Sequence, residues 1–153
     1  MDKIDYQIIK TLIADGRASF SSISKEANLT DVAIKKRLDS LKRRGIISGI
    51  SVELNYKTLG YENPIFIQIR TDITKSREII KKLTESDFVL ELYQTLGEYN
   101  LMAKIITPSL EAAEGILKEM GSIEGIMDLK SLVVLSEQKK TKMVPPNALQ
   151  KKI

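Results

Sequence analysis

The chain has 153 residues, 42% of them hydrophobic, with 24 Lys/Arg against 20 Asp/Glu, no cysteine and no histidine. That length supports one domain, or two small ones, with a real core. The missing Cys and His remove disulfides, thiolate zinc sites, the commonest general base and most transition-metal sites. No stretch approaches the roughly 18 uninterrupted apolar residues of a membrane span, and the opening MDKIDYQII lacks a signal-peptide core.

A soluble, cytoplasmic chain is therefore expected, with no membrane partner, no metal and no cofactor. Walker-type loops, GxGxxG and GxSxG are absent, so no enzyme is expected and no catalytic residue is assigned. Charge is unevenly spread. Residues 1–50 hold ten Lys/Arg against six Asp/Glu, residues 51–138 nine against fourteen, and residues 139–153 five lysines and no acid. A basic front, an acidic middle and a basic tail point to different jobs for different segments.

Ile4, Ile8, Ile9, Leu12 and Ile13 recur at helical spacing, and Asp15-Gly16 stops that first helix. Ser19 or Ser21 can cap a second, short helix holding Ile23 and Ala27. Asn28 falls where a tight helix–helix turn needs left-handed backbone, which Asn tolerates better than other non-glycine residues. Thr30 caps a third helix and Gly45 ends it.

That third helix carries six cations between Lys35 and Arg44. At about 100° per residue, Ile34, Leu38 and Leu41 share one stripe, which is expected to pack inward. Val32, Lys36 and Arg43 lie opposite, with Ala33 and Ser40 to one side. Lys35 and Lys42 flank the stripe on one edge, Arg37 and Arg44 on the other. A short capped helix, a tight turn and a basic helix with a small-residued first turn make a helix-turn-helix. Val32, Ala33, Lys36 and Ser40 are expected to face bases. Lys35, Arg37, Arg43 and the Ser19 hydroxyl are expected to meet phosphates, with Thr30 as the cap near the phosphate backbone. Lys42 and Arg44 read as solvated surface. Asp31 and Asp39 would be repelled by phosphate if they pointed at it.

IISGISVEL (46–54) alternates loosely and reads as a strand leaving this unit; NYKTLGYENP (55–64) reads as a hinge. Strands follow at Ile65–Thr71, Phe88–Gln94, Leu101–Thr107 and Lys130–Leu135, with helices near Ser76–Glu85 and Leu110–Met120. This βαββαβ order is ferredoxin-like, with both helices on one face of the sheet. The fold class is thus α+β: an N-terminal helix-turn-helix (winged-helix-like) domain and a ferredoxin-like domain. Period-two alternation turns Ile65, Ile67, Ile69, Phe88, Leu90, Leu92, Leu101, Ala103, Ile105, Leu132 and Val134 inward. The opposite set holds Phe66, Val89, Tyr93, Met102, Ile106, Val133 and Leu135 among polar residues, too apolar for a solvated face. A homodimer or higher oligomer is expected, which also suits a unit that reads paired half-sites.

Five stretches, "DKIDYQIIKTLIADGRASFSSISKEANLT", "IKKRLDSLKRRGIISG", "ELNYKTLGY", "TLGEYNLMAKI" and "IEGIMDLKSLVVL", resemble the leucine-responsive regulatory protein/AsnC (Lrp/AsnC) family of feast/famine transcription regulators. They keep the family's order and spacing across residues 2–136. The resemblance implies helix-turn-helix DNA binding at 1–50, a linker at 51–63, an effector-binding and oligomerisation domain at 64–138, and a basic tail at 139–153 outside the match. It implies dimers built through the sheets, often assembled into octamers, and an amino acid or related metabolite bound between regulatory domains. Gly45, Leu54, Asn55, Leu59, Gly60 and Gly97 fit the family pattern.

The effector residues the resemblance implies are Leu96, Gly97, Glu98, Tyr99, Asn100, Asp128 and Ser131. The family hairpin reads Gly-Asp-aromatic-Asp; here Gly97, Glu98, Tyr99 and Asn100 stand, so its last acid is neutral. Leu96 replaces a small or hydroxyl residue, and Leu129 a threonine before Ser131. The plain alternative is a hairpin glycine at Gly97 and a turn residue at Asn100. The expected function is a sequence-specific, cytoplasmic and nucleoid-associated DNA-binding regulator of double-stranded DNA. The alternatives are a ferredoxin-like small-molecule-binding or enzymatic domain with a helical assembly module, or a nonspecific architectural DNA binder.

Overall fold

A computed structural model of the chain describes residues 1–143; the last ten residues of the basic tail lie outside the described residues. The described chain divides into two compact units, Met1–Glu53 joined by Lys139–Met143, and Leu54–Gln138.

The first unit is built from α1 (Lys3–Ala14), α2 (Phe20–Ala27) and α3 (Asp31–Arg43). Each helix begins on a side-chain cap. Asp2 accepts from the backbone N–H groups of Ile4 and Asp5, Ser19 from Ser22, and Thr30 from Ala33, satisfying donors that a helix start leaves open. Asn28 adopts the left-handed conformation (φ 53°, ψ 47°) at the end of α2. Its backbone reversal sets α3 against α2 after a connection of three residues. At the other end of α3, Gly45 (φ 69°) closes a Schellman motif. Its N–H reaches the Lys42 carbonyl at 2.9 Å, and the Ile46 N–H reaches the Leu41 carbonyl at 2.9 Å.

Ile8, Ile23, Ile34, Leu38 and Leu41 form the core of this unit, so the inward stripe of α3 is the one its periodicity predicts. The strand expected over residues 46–54 is not formed. Ile46 and Ile47 pack on the helical core instead, while Ile50, Val52 and Leu54 are exposed. An alternating run becomes a strand only beside another strand, and this unit offers none among the described residues.

The second unit contains β1 (Ile65–Thr71), α4 (Ser76–Thr84), β2 (Val89–Gln94), β3 (Leu101–Ile105), α5 (Leu110–Gly121) and β4 (Ile126–Val133), with a short 3₁₀ turn at Ile73–Lys75. The sheet order is β2-β3-β1-β4, with every neighbouring pair antiparallel, the ferredoxin-like arrangement. Ile79 and Leu83 of α4, and Ala113 and Met120 of α5, bury one sheet face carrying Ile65, Ile67, Ile69, Leu101, Ala103 and Ile105. Gly125 (φ 93°) precedes β4 directly beneath Lys75, where a Cβ would come within 2.8 Å of the Lys75 Cβ.

Two strands depart from simple alternation. In β2 the register shifts between Val89 and Glu91. The bulge puts Val89 and Leu92 on the core side and leaves Leu90 exposed, reversing the faces expected for Val89 and Leu90. A bulge inserts one unpaired residue and so shifts the phase of everything before it. β4 starts four residues before the expected Lys130, and its faces are also reversed. Leu129, Ser131 and Val133 sit opposite Ile69, Ile67 and Ile65, whereas Asp128 and Leu132 sit opposite Arg70 and Phe66. Directly paired residues share a face, so Leu132 belongs to the open side and Val133 to the helix side. In "SLVVL" both phases are apolar, and a one-residue slip costs the pattern nothing.

Candidate nucleic-acid interface and sheet-face site

The outward surface of α3 is what its sequence sets up. Val32 is 64% exposed, Ala33 and Ser40 are half-buried, and Lys35, Lys36, Lys42, Arg43 and Arg44 are exposed. The first turn therefore presents small and apolar side chains beside two lysines. The Thr30 Oγ1 accepts from the Ala33 N–H at 3.2 Å, which orients the helix start. The Ser19 Oγ accepts from the Ser22 N–H at 3.1 Å, so its hydroxyl proton can still be donated to a phosphate oxygen. Asp31, an obstacle to phosphate if it pointed outward, instead accepts a hydrogen bond from the Ser24 hydroxyl at 2.5 Å, which turns it back towards α2.

Arg37, expected to meet phosphate, is engaged within the fold. Its Nη1 reaches the Asp2 Oδ2 and the Asp5 Oδ1, both at 2.8 Å. Asp5 is buried, and Asp2 and Asp5 cap α1 reciprocally. The guanidinium thus ties α3 to the start of α1. The Asp2 carboxyl is held below its usual value by the Asp5 backbone N–H and by Arg37. Those two carboxylates hold the Arg37 proton even more firmly than usual. Helical spacing placed Arg37 on the flank of the stripe; it could not show that Asp2 and Asp5, 35 and 32 residues away, would reach it. Among the described residues, no other cation of α3 forms an ion pair.

In the sheet unit, the residues implied for an effector are only partly brought together. The hairpin from Thr95 to Asn100 is closed by the Thr95 N–H on the Asn100 carbonyl at 2.9 Å and by the Thr95 hydroxyl on the Tyr99 carbonyl at 2.7 Å. Gly97 takes φ 126° at its tip, and Leu96 is exposed. Asn100 is committed internally. Its Oδ1 accepts from the Thr71 N–H at 2.9 Å, and its Nδ2 donates to the Thr71 Oγ1 at 2.8 Å.

Tyr99 donates to the Asp128 Oδ2 at 2.6 Å, which raises the phenol's pKa and lowers that of the carboxyl. Arg70 lies 3.7 Å from the Glu98 Oε1 and opposite Asp128 in the register, with its Nε buried and without a partner. The Lys130 Nζ stands 5.9 Å from the Tyr99 ring centroid. Glu98, Tyr99, Asp128, Arg70 and Lys130 therefore form one charged cluster. Ser131 does not join it, because it projects from the opposite face of β4. Arg70 and Lys130 were missed by sequence reasoning; their signal was the alternation that puts both on the face of Asp128.

The rest of the open face mixes Phe66, Tyr93, Met102 and Leu132 with a Lys104–Glu91 ion pair at 3.0 Å. Lys104 also lies 6.0 Å over the Phe66 ring. Among the described residues no helix is long and apolar enough to cross a membrane, and no cluster of acidic side chains could hold a metal ion.

Comparison with known proteins agrees with both units. The AsnC-type helix-turn-helix domain matches residues 1–42, and the Lrp/AsnC ligand binding domain matches residues 65–144. The HTH-type transcriptional regulator FL11 of Pyrococcus abyssi is 33% identical over 145 residues, covering 95% of this chain and 96% of the relative. The structure of E. coli AsnC superposes with a TM-score of 0.88 at 26% identity, covering 95% of this chain and 99% of that one. A Neisseria meningitidis transcriptional regulator, solved as a complex with L-Met, has a TM-score of 0.88 at 25% identity, covering 97% and 99%. The chain belongs to the Lrp/AsnC family of transcription regulators.

Proposed function

We propose that this regulator reads double-stranded DNA with the free edge of α3. The observation that carries the reading is the asymmetry of that helix: one cation is tied down by two carboxylates, and the other five are exposed and, among the described residues, without ion pairs. Val32, Ala33, Lys36 and Ser40 face base edges; Lys35, Arg43 and the Ser19 hydroxyl meet phosphates; Thr30 keeps the helix N-terminus in register with the backbone. Arg37 supports the unit from within. The chain works as a cytoplasmic, nucleoid-associated binding protein and not as an enzyme. A gel shift on its own upstream region tests this reading. A discrete shift, competed by the same sequence and not by random DNA, supports it; no shift of either DNA contradicts it.

Effector control belongs to the same proposal. The Neisseria relative was solved with L-Met, and an amino acid presents one ammonium and one carboxylate. The cluster of Arg70, Lys130, Glu98 and Asp128 offers both signs within one face, beside the hairpin of Leu96–Asn100. Asn100, held by Thr71, shapes the hairpin and does not contribute charge. The open sheet face, apolar between its ion pairs, is the surface through which two copies pair, with larger assemblies built from such dimers. Calorimetry with the twenty amino acids checks the first point and light scattering the second. Heat from none of the twenty, or a monomer at micromolar concentration, removes the respective claim.

A further inference from the structure

Basic residues at the C-terminal end of the described chain do not remain with the sheet unit they leave. Lys139–Met143 cluster with Met1–Glu53, the unit that holds α3. Glu53 meets them with both of its oxygens: Oε1 lies 2.5 Å from the Lys140 Nζ and Oε2 3.7 Å from the Lys142 Nζ. Lys142 also borders a groove of about 510 Å³ running between the end of α1 and the segment after α3, lined by Leu12, Ile13, Ile47, Ile50 and Glu53. All three charged side chains are about half exposed, and the Glu53 carboxyl is held below its usual pKa first by its hydrogen bond from Lys140 and then by the charges of both lysines.

We infer that Glu53, Lys140 and Lys142 form a charge latch over a second, sequence-independent phosphate-binding patch on the DNA-binding unit. This rests on the DNA-binding reading above. Exposed ion pairs in water are weak and exchange readily. Duplex DNA presents a far denser line of negative charge than one carboxylate, and each lysine that moves onto a phosphate releases a condensed counterion. Latched, the two lysines are neutralised by Glu53 and add little to the unit's basic surface. Unlatched, they add affinity to any duplex without adding sequence preference.

Fluorescence anisotropy of the full chain on a duplex from its own upstream region and on a scrambled duplex, between 50 and 200 mM salt, tests the latch. For Lys140→Gln/Lys142→Gln, the slope of log affinity against log salt becomes shallower by about 2 per chain on both duplexes, so the variant loses about tenfold less affinity across that salt range. Lys140→Arg/Lys142→Arg keeps the native slope. Glu53→Gln binds both duplexes about threefold more tightly at low salt, because no ion pair has to be broken, and keeps the native slope. An unchanged slope in the double Gln variant, a change confined to the upstream duplex, or weaker or unchanged binding by Glu53→Gln overturns the inference. Failure of the unsubstituted chain to bind either duplex would instead sink the DNA-binding reading itself.

Discussion

The charges of α3 and those of the open sheet face are handled in opposite ways. On the sheet, Lys104 is matched by Glu91, Arg70 by Glu98, and Asp128 by the Tyr99 hydroxyl. On α3, only Arg37 is matched among the described residues. Partnered charges on a half-apolar face hold a surface in one arrangement and set which polar groups a small ligand meets. Cations left without partners on a capped, rigid helix remain available to a polyanion. A positive count alone does not separate these uses; whether the charge is already satisfied within the fold does.

Substitutions can break that contrast at several strengths. Ile34→Ala removes a fully buried side chain from the small helical core and should cost about 2–4 kcal/mol, read as loss of helical signal in chemical denaturation. Such a loss would come with loss of DNA binding. Arg37→Ala should destabilise the same unit by about 1–3 kcal/mol, because it strands the buried Asp5 carboxylate. If Arg37 were a phosphate contact instead, the variant would keep its melting temperature and lose salt dependence. In the sheet unit, Asn100→Ala takes the acceptor from the Thr71 N–H and should cost about 1–2 kcal/mol, visible as faster hydrogen exchange at the end of β1.

The smallest effect is a pH dependence. Asp2 has a folded pKa below its ordinary 3.8, so its contribution is complete above that value and is lost as pH falls through the lower folded one. Asp2→Asn should therefore lower the melting temperature at pH 7 and converge with the native chain in acid below the folded pKa. A difference that persisted unchanged at that acidity would show that the carboxylate's charge is not what matters.

Much of the helical unit was legible because its signals are local. Asn28, Thr30 and Gly45 act within four residues of themselves, and the Ile34, Leu38, Leu41 stripe needs only a period. The sheet order was legible from the alternation of strands and helices. The faces of β2 and β4 were not, since a bulge beside Leu90 and two apolar phases in "SLVVL" leave alternation without a reference. Asp128 and Ser131, which the family resemblance joins in one site, stand three residues apart on β4 and so face opposite sides of the sheet. The ion pairs of Arg37 were not legible because Asp2 and Asp5 lie at the start of another helix, and the fate of Glu53 depends on lysines from the far end of the chain. Pairing across such distances is set by tertiary packing, to which helical spacing is blind.

The central claim, that the free edge of α3 divides into base-reading and phosphate-holding residues, is tested most directly by comparing Lys36→Ala with Lys35→Ala on cognate and random duplexes across a salt series. Lys36→Ala should lose roughly 1–3 kcal/mol on the cognate duplex, little on the random one, and with that its sequence preference. Lys35→Ala should weaken both duplexes alike and flatten the salt slope by about 1. Equal losses from both substitutions on both duplexes would contradict the division and leave α3 a merely basic helix.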